Sequence, residues 1–521
     1  MTHRIRCPFS PPARLAIGWI AIIALLPAVL RAASPDDYFG IQVIDSATGR
    51  GVPLVELRTV SNQRFYTDSN GLAALNDPAL LNQKVFFYPE SPGYEFPPDG
   101  FGMRGASVDV KPGTLVTLKL KRLNIAERLY RVTGQGIYRD TVLLGRKAPI
   151  REPLLNAKVV GQDSVQMLAY NEKLYWFWGD TNRLAYPLGH FGMAGATSPL
   201  PSKGGLDPSV GVDLTYFIDP TGFSRPTCDI PGNGPKWLEG LVVVKDDTGR
   251  DRMIARYSRM KSLNEVLERG LVQWDDASGS WKLLKQFSLD APLYPTGQPI
   301  RYTDAGTDYF YFGSIRVRAD LQSLTDPGAY ETFTCLKPGA RYSKNGPPLD
   351  RAADGTLNWS WKRDTSPVTG IEEKELFNRG ALEPGECRFL LHDAQTHRLV
   401  VPHNGSVCWN EYRKRWILIA AEFGGDASFL GEVWYAEANS PIGPWNWARK
   451  IATHPHYSFY NPVQHPLFDQ KGGQIIYFEG TYASTFSGND HPTPLYDYNQ
   501  LMYRLDLADP RLELPRDDDR K

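Results

Sequence analysis

The chain of 521 residues lacks several features that would assign it to a common functional class. Lys plus Arg and Asp plus Glu each number 58 and no long basic run occurs, so the sequence predicts no nucleic-acid partner. No stretch after Leu30 approaches the roughly 20 apolar residues of a membrane-spanning helix. Neither a GxSxG elbow nor a phosphate-binding loop joins a strand to a helix, which argues against a serine hydrolase or a nucleotide-binding protein.

Cysteine is also scarce, with five residues in the whole chain. Four of them follow the N-terminal segment, and no CxxC or Cys/His spacing suggests a zinc site. These are Cys228, Cys335, Cys387 and Cys408. One or two disulfides would be compatible with an oxidising compartment, but the sequence gives no pairing.

The N-terminus has the pattern of an export signal. Three arginines precede the apolar run from Leu15 to Leu30, and small residues follow from Ala32. We therefore predict that residues 1–33 are a signal peptide and that the protein is secreted or periplasmic. Leu30 or Arg31 occupies the position where a small residue normally precedes cleavage, so an uncleaved single-span anchor is the alternative.

Short alternating segments and frequent turn residues predict an all-β protein. Glycine and proline number 47 and 41, and helical periodicity is limited to one short candidate at residues 262–270. Residues 36–122 alternate apolar and polar positions between turns such as Asn70-Gly71, which predicts six or seven strands in a β-sandwich. The strings VIDSATGRGVPLVEL and TDSNG resemble transthyretin-like or carboxypeptidase-regulatory-like domains, which implies a spacer or stabiliser. We interpret Asp45 and Asp68 as turn caps, and residues 123–150 as a linker with few shared contacts and a ring-closing strand.

Residues 151–512 contain five related hairpins, and residues 513–521 form a charged tail. The hairpins begin GQDSVQ at Gly161, LEGLVV at Leu238, GQPIRY at Gly297, HNGSVC at His403 and YNPVQH at Tyr460. Each resembles the inner half of a propeller blade, so we predict a five-bladed β-propeller closed by the segment TGQGIYRDTVLLG. The excess length in 184–236 and 319–400 is assigned to long loops or extra strands. A large irregular β-sandwich is the alternative.

The first hairpin brings two carboxylates together. Antiparallel pairing about the tip Asn171-Glu172 places Asp163 opposite Asp180, about 5 Å apart at Cβ. Two adjacent carboxylates repel each other and raise one pKa, which suits the acid and base pair of a glycosidase. The structural alternative is that either aspartate caps a turn, since Asp180-Thr181-Asn182 has turn composition.

Similar reasoning places other polar residues at the mouth of the central channel. Glu239 is the third catalytic candidate, with an ion pair to Arg301 or Arg316 as the alternative. His403 is expected opposite Glu422, either for substrate binding or as a structural hydrogen bond. The predicted substrate-binding residues are Gln298, His403, Asn404, Glu422, Asn461, His465 and Glu479.

The opening GQDSV followed by YWFWGDT is similar to the signatures of a secreted family long listed as a domain of unknown function, which includes mycobacterial endo-D-arabinanases. The whole plan resembles more distantly the five-bladed propellers of arabinanases and fructosidases. The resemblance implies a glycoside hydrolase acting on a polysaccharide through Asp163 and Asp180. The alternative is a non-catalytic propeller that binds glycan or protein through aromatic residues, exemplified by Trp176, Trp178, Trp359 and Trp361.

We predict no cofactor and no catalytic metal, because the carboxylates are scattered around the ring rather than arranged at ligand spacing. A structural calcium ion in the central channel would be compatible with the carbonyls and side chains there.

Overall fold

The computed structural model describes residues 34–515. The predicted signal peptide and most of the charged tail lie outside this range. Strands far outnumber helices within it, as the turn-rich alternating sequence predicts. In this described part of the chain no helix has both the length and the apolar character needed to cross a membrane.

The N-terminal domain is a β-sandwich of two four-stranded sheets, β4-β1-β8-β6 and β3-β2-β5-β7. Its strands are β1 (Phe39–Asp45), β2 (Glu56–Thr59), β3 (Arg64–Tyr66), β4 (Leu72–Leu75), β5 (Lys84–Glu90), β6 (Tyr94–Glu95), β7 (Ala106–Asp109) and β8 (Leu115–Arg122). Alternation explains the core, because Leu118 and Leu120 are buried while Lys119 and Lys121 between and after them are exposed. The predicted turn requires Gly71, which has φ +70° and has the Val43 carbonyl where a Cβ would lie.

Five sheets follow in chain order and form the blades of the predicted propeller, and their strands are antiparallel except for one parallel pair at the edge of blade four. Blade one and its mouth hairpin contain β10 (Val159–Gln162), β11 (Gln166–Tyr170), β12 (Lys173–Trp178), β13 (Thr181–Arg183), β14 (Tyr186–His190), β15 (Ala194–Pro199) and β16 (Thr215–Tyr216). Blade two contains β17 (Lys236–Lys245), β18 (Asp251–Ser262), β19 (Glu265–Asp275) and β20 (Ser280–Phe287). Blade three contains β21 (Ile300–Asp304), β22 (Thr307–Phe312), β23 (Ile315–Arg318), β24 (Glu331–Thr334) and β25 (Ser360–Lys362).

Blade four contains β26 (Leu391–Asp393), β27 (Leu399–Val400), β28 (Pro402–Asn410), β29 (Arg415–Glu422), β30 (Val433–Ala438) and β31 (Trp447–Ala452). Blade five contains β32 (Ser458–Gln464), β33 (Ile475–Ala483) and β34 (Asn499–Asp506), completed by β9 (Glu127–Arg131). The innermost strands are β11, β17, β21, β28 and β32, which are the first strands of the five predicted hairpins. Most of the additional chain length predicted at 319–400 forms further strands and helices at the edges of blades three and four.

Apolar clusters between consecutive blades show that the ring is closed. Clusters join blade one to two, two to three, three to four and four to five. The remaining cluster joins blade five to blade one and contains Val463, Tyr477, Trp176 and Trp178. Each blade therefore buries both of its faces, as a propeller requires.

Two details of the predicted fold are wrong. The ring closes through β9, which pairs with β34, whereas the segment expected to close it contains helix α1 (Arg139–Leu143). The predicted helix at 262–270 is the tip of the β18–β19 hairpin. Among residues 34–515 the other two α-helices are α2 (Leu321–Thr325) and α3 (Gly370–Asn378), the latter with a capping box between Thr369 and Glu372.

The expectation of few contacts between sandwich and propeller is also wrong. The Arg128 guanidinium is buried and donates hydrogen bonds to the Pro53 carbonyl at 2.9 and 3.1 Å. The Tyr496 hydroxyl from blade five donates to the Thr67 carbonyl and accepts from the backbone N–H of Leu54 at 3.0 Å. Because removing one domain would leave these buried groups without partners, the two domains stabilise each other.

Candidate active site

Asp163 and Asp180 meet at the mouth end of the innermost hairpin of blade one. The β11–β12 register pairs Gln166 with Phe177, as predicted from the hairpin tip. Beyond the ladder, the backbone N–H of Asp180 donates to Asp163 Oδ1 at 3.0 Å. Gly179 permits this approach, because a Cβ there would lie 2.3 Å from Asp163 Oδ1. The Gly179-Asp180 sequence after the apolar strand therefore allows the Asp163 carboxylate to accept a hydrogen bond from the backbone of Asp180.

Asp163 is half-buried and surrounded by hydrogen-bond donors. The Tyr460 hydroxyl donates to Asp163 Oδ2 at 3.1 Å. The pKa of Asp163 is raised, because burial outweighs the hydrogen bonds from Tyr498, Tyr460 and Ser164, which act to lower it. Each of these donors stabilises the carboxylate form. Burial and the charge of Asp163 also raise the pKa of Tyr460, so its phenol stays neutral and serves as a donor.

Asp180 has a different environment. Its Oδ1 is buried and receives no hydrogen bond from the described residues. Burial, followed by repulsion from Asp163, raises the pKa of Asp180 from 3.8 to about 7, and a hydrogen bond from Trp237 opposes the rise only in part. Because Asp163 accepts several hydrogen bonds and Asp180 Oδ1 accepts none from the described residues, the surroundings favour the ionised form of Asp163 over that of Asp180.

Glu239 lies at the start of blade two and is paired with a cation that the sequence analysis did not name. Arg256 Nη2 is 2.7 Å from Glu239 Oε2, and the backbone N–H of Gly297 donates to the same oxygen at 3.0 Å. Burial acts to raise the pKa of Glu239, but the charge of Arg256 together with hydrogen bonds from the Gly297 N–H and from Arg256 outweighs burial, and the pKa is lowered. Glu239 is thus an anion at neutral pH. Neither Arg301 nor Arg316 is its partner, since these pair with Asp308 and with Asp304 and Glu331.

Three further predicted residues link the blades around the mouth. Asn404 donates to Asn461 Oδ1 at 2.8 Å, and Asn461 donates to Ser164 Oγ at 2.8 Å, so blades four, five and one are connected in turn. Gln298 of blade three approaches the Val165 carbonyl of blade one at 3.4 Å. Asn461 and Gln298 thus bind to Ser164 and Val165, the two residues that follow Asp163 in the chain.

The predicted pairing of His403 with Glu422 is wrong. A β-bulge shifts the ladder so that Pro402 faces Glu422. Glu422 is 1% exposed, pairs with Arg398 and accepts from the Trp434 indole at 2.9 Å, so it is not accessible to a substrate. His403 instead stacks on Phe423, with ring centroids 6.0 Å apart, and burial lowers its pKa.

His465 and Glu479 do not reach the mouth, contrary to the prediction. They are 1% and 0% exposed, with His465 Nε2 3.5 Å from Glu479 Oε2, among the apolar residues between blades five and one. Trp176 and Trp178 are fully buried beside them and pack between blades. Trp359 and Trp361 are half-buried and pack against Phe333.

The site also includes residues that sequence reasoning missed, namely Tyr460, Tyr498, Trp237 and Arg256. Tyr460 directly precedes Asn461, so its place at the mouth could have been inferred from the same hairpin. Within residues 34–515, no group of three or more His, Cys, Asp or Glu side chains is arranged to hold a metal ion. The four cysteines in that range are buried thiols.

Comparison with known proteins gives only distant similarity. No protein-family model and no curated protein matches the chain. Its fold is similar in part to an exo-β-1,3-galactanase from Phanerochaete chrysosporium, solved with β-1,3-galactotriose, at 10% identity over 68% of this chain and 63% of the galactanase, with a TM-score of 0.34. An α-L-arabinofuranosidase from Fusarium graminearum is 12% identical over 73% of this chain and 98% of its own, with a TM-score of 0.34. An endo-arabinase from Bacteroides thetaiotaomicron is 11% identical over 65% and 95%, with a TM-score of 0.29. Because these values are low, we base the functional assignment on the residues of the mouth alone.

Proposed function

We propose that the protein is an exported glycoside hydrolase that cleaves a polysaccharide with Asp180 as general acid and Asp163 as the partner carboxylate. The observation that carries this proposal is the contrast within the pair. Asp180 has a pKa raised to about 7 and a buried oxygen without a partner among residues 34–515. The pKa of Asp163 is also raised by burial, but Asp163 accepts hydrogen bonds from Tyr460 and from the backbone of Asp180, which stabilise its anion. Two carboxylates in unlike environments can supply a proton and a negative charge at the same pH.

In this mechanism the protonated carboxyl of Asp180 donates its proton to the glycosidic oxygen as the bond to the anomeric carbon breaks. Asp163 then acts as an anion in one of two ways. As a general base it removes a proton from an attacking water, which inverts the anomeric configuration. As a nucleophile it forms a covalent glycosyl ester that water later hydrolyses, which retains the configuration. Tyr460 holds the Asp163 carboxylate in place for either step.

The proposal is tested by assaying reducing ends released from arabinan, xylan, fructan and sulfated algal glycans. We expect the wild type to cleave at least one glycan, and Asp163→Asn and Asp180→Asn each to lower the rate by about 10² to 10⁴. Asp247→Asn, an exposed change of the same charge in the β17–β18 turn, is the matched control. Proton NMR of the first product identifies its anomer and so separates the two roles of Asp163.

Retention of the wild-type rate by both aspartate variants would show that the pair is structural. A wild type that binds a glycan but cleaves none would favour the non-catalytic binding propeller.

A further inference from the structure

Three exposed phenylalanines lie on neighbouring connectors of the propeller mouth. Phe423 and Phe429 belong to the connector between β29 and β30, and Phe486 belongs to the connector between β33 and β34. Their exposed fractions are 37%, 44% and 47%. A single exposed aromatic residue needs no explanation, but three on one side of a channel mouth form an apolar patch of the kind that binds ligands.

The patch has a defined geometry. The rings of Phe423 and Phe429 meet edge to face with centroids 4.7 Å apart, and the Gly424 N–H donates to the Phe429 carbonyl at 2.9 Å, which closes the connector. The Phe486 ring lies 5.7 Å from the Tyr460 ring.

Tyr460 connects the patch to the proposed catalytic pair. Its hydroxyl donates to Asp163, and its ring packs against Leu430, which directly follows Phe429. Tyr460, which is itself buried, therefore contacts both connectors as well as the Asp163 carboxylate.

Polar groups border the aromatic rings. Asn404 is exposed and already hydrogen-bonded to Asn461, and His403 stacks on Phe423 with a ring nitrogen that has no partner among the described residues. A sugar ring presents an apolar C–H face and a rim of hydroxyls. Aromatic faces bordered by amide and imidazole groups match both parts of such a ligand.

The charges nearby indicate that the sugar is neutral. Arg398 pairs with Glu422 at the end of β29, and its Nε lies 3.6 Å from the carboxylate of the exposed Asp426. Arg256, on the other side of the mouth, pairs with Glu239. With these cations neutralised and the carboxylates of Asp426 and Asp163 close by, a sulfate or uronate would meet more repulsion than attraction.

We propose that Phe423, Phe429 and Phe486 form an aromatic platform that binds a neutral sugar unit of a polysaccharide, adjacent to the unit held at Asp163 and Asp180. This inference rests on the proposed function for the position of the cleaved bond, but binding by the platform can be measured without cleavage. It implies that the substrate extends toward blades four and five.

The test measures binding in the Asp180→Asn background, by affinity electrophoresis in gels containing arabinan, xylan, β-1,3-galactan or sulfated carrageenan. We expect binding to at least one neutral polysaccharide and about tenfold weaker binding after Phe429→Ala or Phe486→Ala. Phe101→Ala is the matched control, since Phe101 is 94% exposed on the sandwich and should not affect binding. Circular dichroism checks that each variant is folded.

Failure of the platform and failure of the proposed function give different results. If the wild type cleaves no glycan, and the two phenylalanine variants lose binding, the platform is supported and the proposed hydrolase activity is refuted. If the wild type cleaves a glycan and the folded variants bind it as tightly as the parent, the platform is wrong. Stronger binding to carrageenan than to every neutral polysaccharide, or no binding to any of them, would also overturn the proposal.

Discussion

Replacing Asp180 by asparagine should change the pH dependence of stability as well as activity. Burial and the neighbouring charge of Asp163 raise the pKa of Asp180 from 3.8 to about 7. A carboxyl whose pKa is raised by folding binds its proton more tightly in the folded state than in the unfolded state. The stability that protonated Asp180 contributes is therefore fully present below a pH of about 4 and is lost as the pH rises through about 7.

The size of the effect follows from the pKa difference. Between pH of about 4 and 7 the loss is at most about 4 kcal/mol, and about 3 kcal/mol of it falls above pH of about 5. Asparagine has nearly the same shape and does not ionise, so the Asp180→Asn variant should not show this loss. For a chain of this length about 1 kcal/mol corresponds to about 1 °C in Tm. The variant should therefore gain up to about 3 °C over the wild type on going from pH of about 5 to 8.

The measurement is thermal unfolding of both proteins at the two pH values, together with the exposed Asp247→Asn control. The difference in Tm between the control and the wild type should be the same at both pH values. If the Asp180→Asn variant and the wild type change in parallel between the two pH values, folding does not raise the pKa of Asp180 and its assignment as the proton donor loses its physical basis. The same pair predicts that activity falls as the pH rises through about 7, because the acid is then deprotonated.

Three other predictions can be tested with the same assays. Tyr460→Phe removes a donor to the Asp163 carboxylate, so the acidic limb of the pH–rate profile should move to higher pH, and an unchanged limb would contradict this positioning role. Glu239→Gln leaves Arg256 without its counter-charge and should lower the free energy of unfolding by about 1 to 2 kcal/mol, as measured by urea denaturation. A chain truncated to residues 123–521 should be insoluble or unfolded, because the sandwich and propeller share buried hydrogen bonds, and a soluble active fragment would refute that.

Much of the fold could be predicted because strand alternation and turn chemistry are local properties. The five inner hairpins were identified from apolar alternation that ends at glycine or polar tips, and the structure contains all five. The helix predicted at 262–270 failed for a different reason. Leu263, Val266 and Leu267 have helical spacing, but they are exposed on a hairpin that extends beyond the blade, so their spacing does not reflect a buried face.

The site could be predicted only where the ladder is regular. Pairing about the hairpin tip placed Asp163 and Asp180 together because β11 and β12 pair without a shift. In blade four a bulge between Pro402 and Gly405 changes the partner of Glu422. Bulges depend on backbone packing between blades, which the sequence does not display, and one extra residue turns every later side chain to the other face. The sequence also does not show how deeply a side chain is buried. For this reason it predicts Glu479 at the mouth, although this side chain is buried.

Three side chains of the mouth share one backbone feature. Ser164 follows Asp163, Gly240 follows Glu239 and Asn461 follows Tyr460, and these three followers have φ of 54°, 63° and 52°. The left-handed region costs a residue with a side chain about 1 to 2 kcal/mol, less for asparagine, and such strain concentrates at functional sites. In blades two and five the same residues coincide with a shift in the ladder. A residue with left-handed backbone therefore follows each of these three side chains of the mouth. The backbone departs from regular strand pairing at the positions where a side chain must face the channel instead of the next blade.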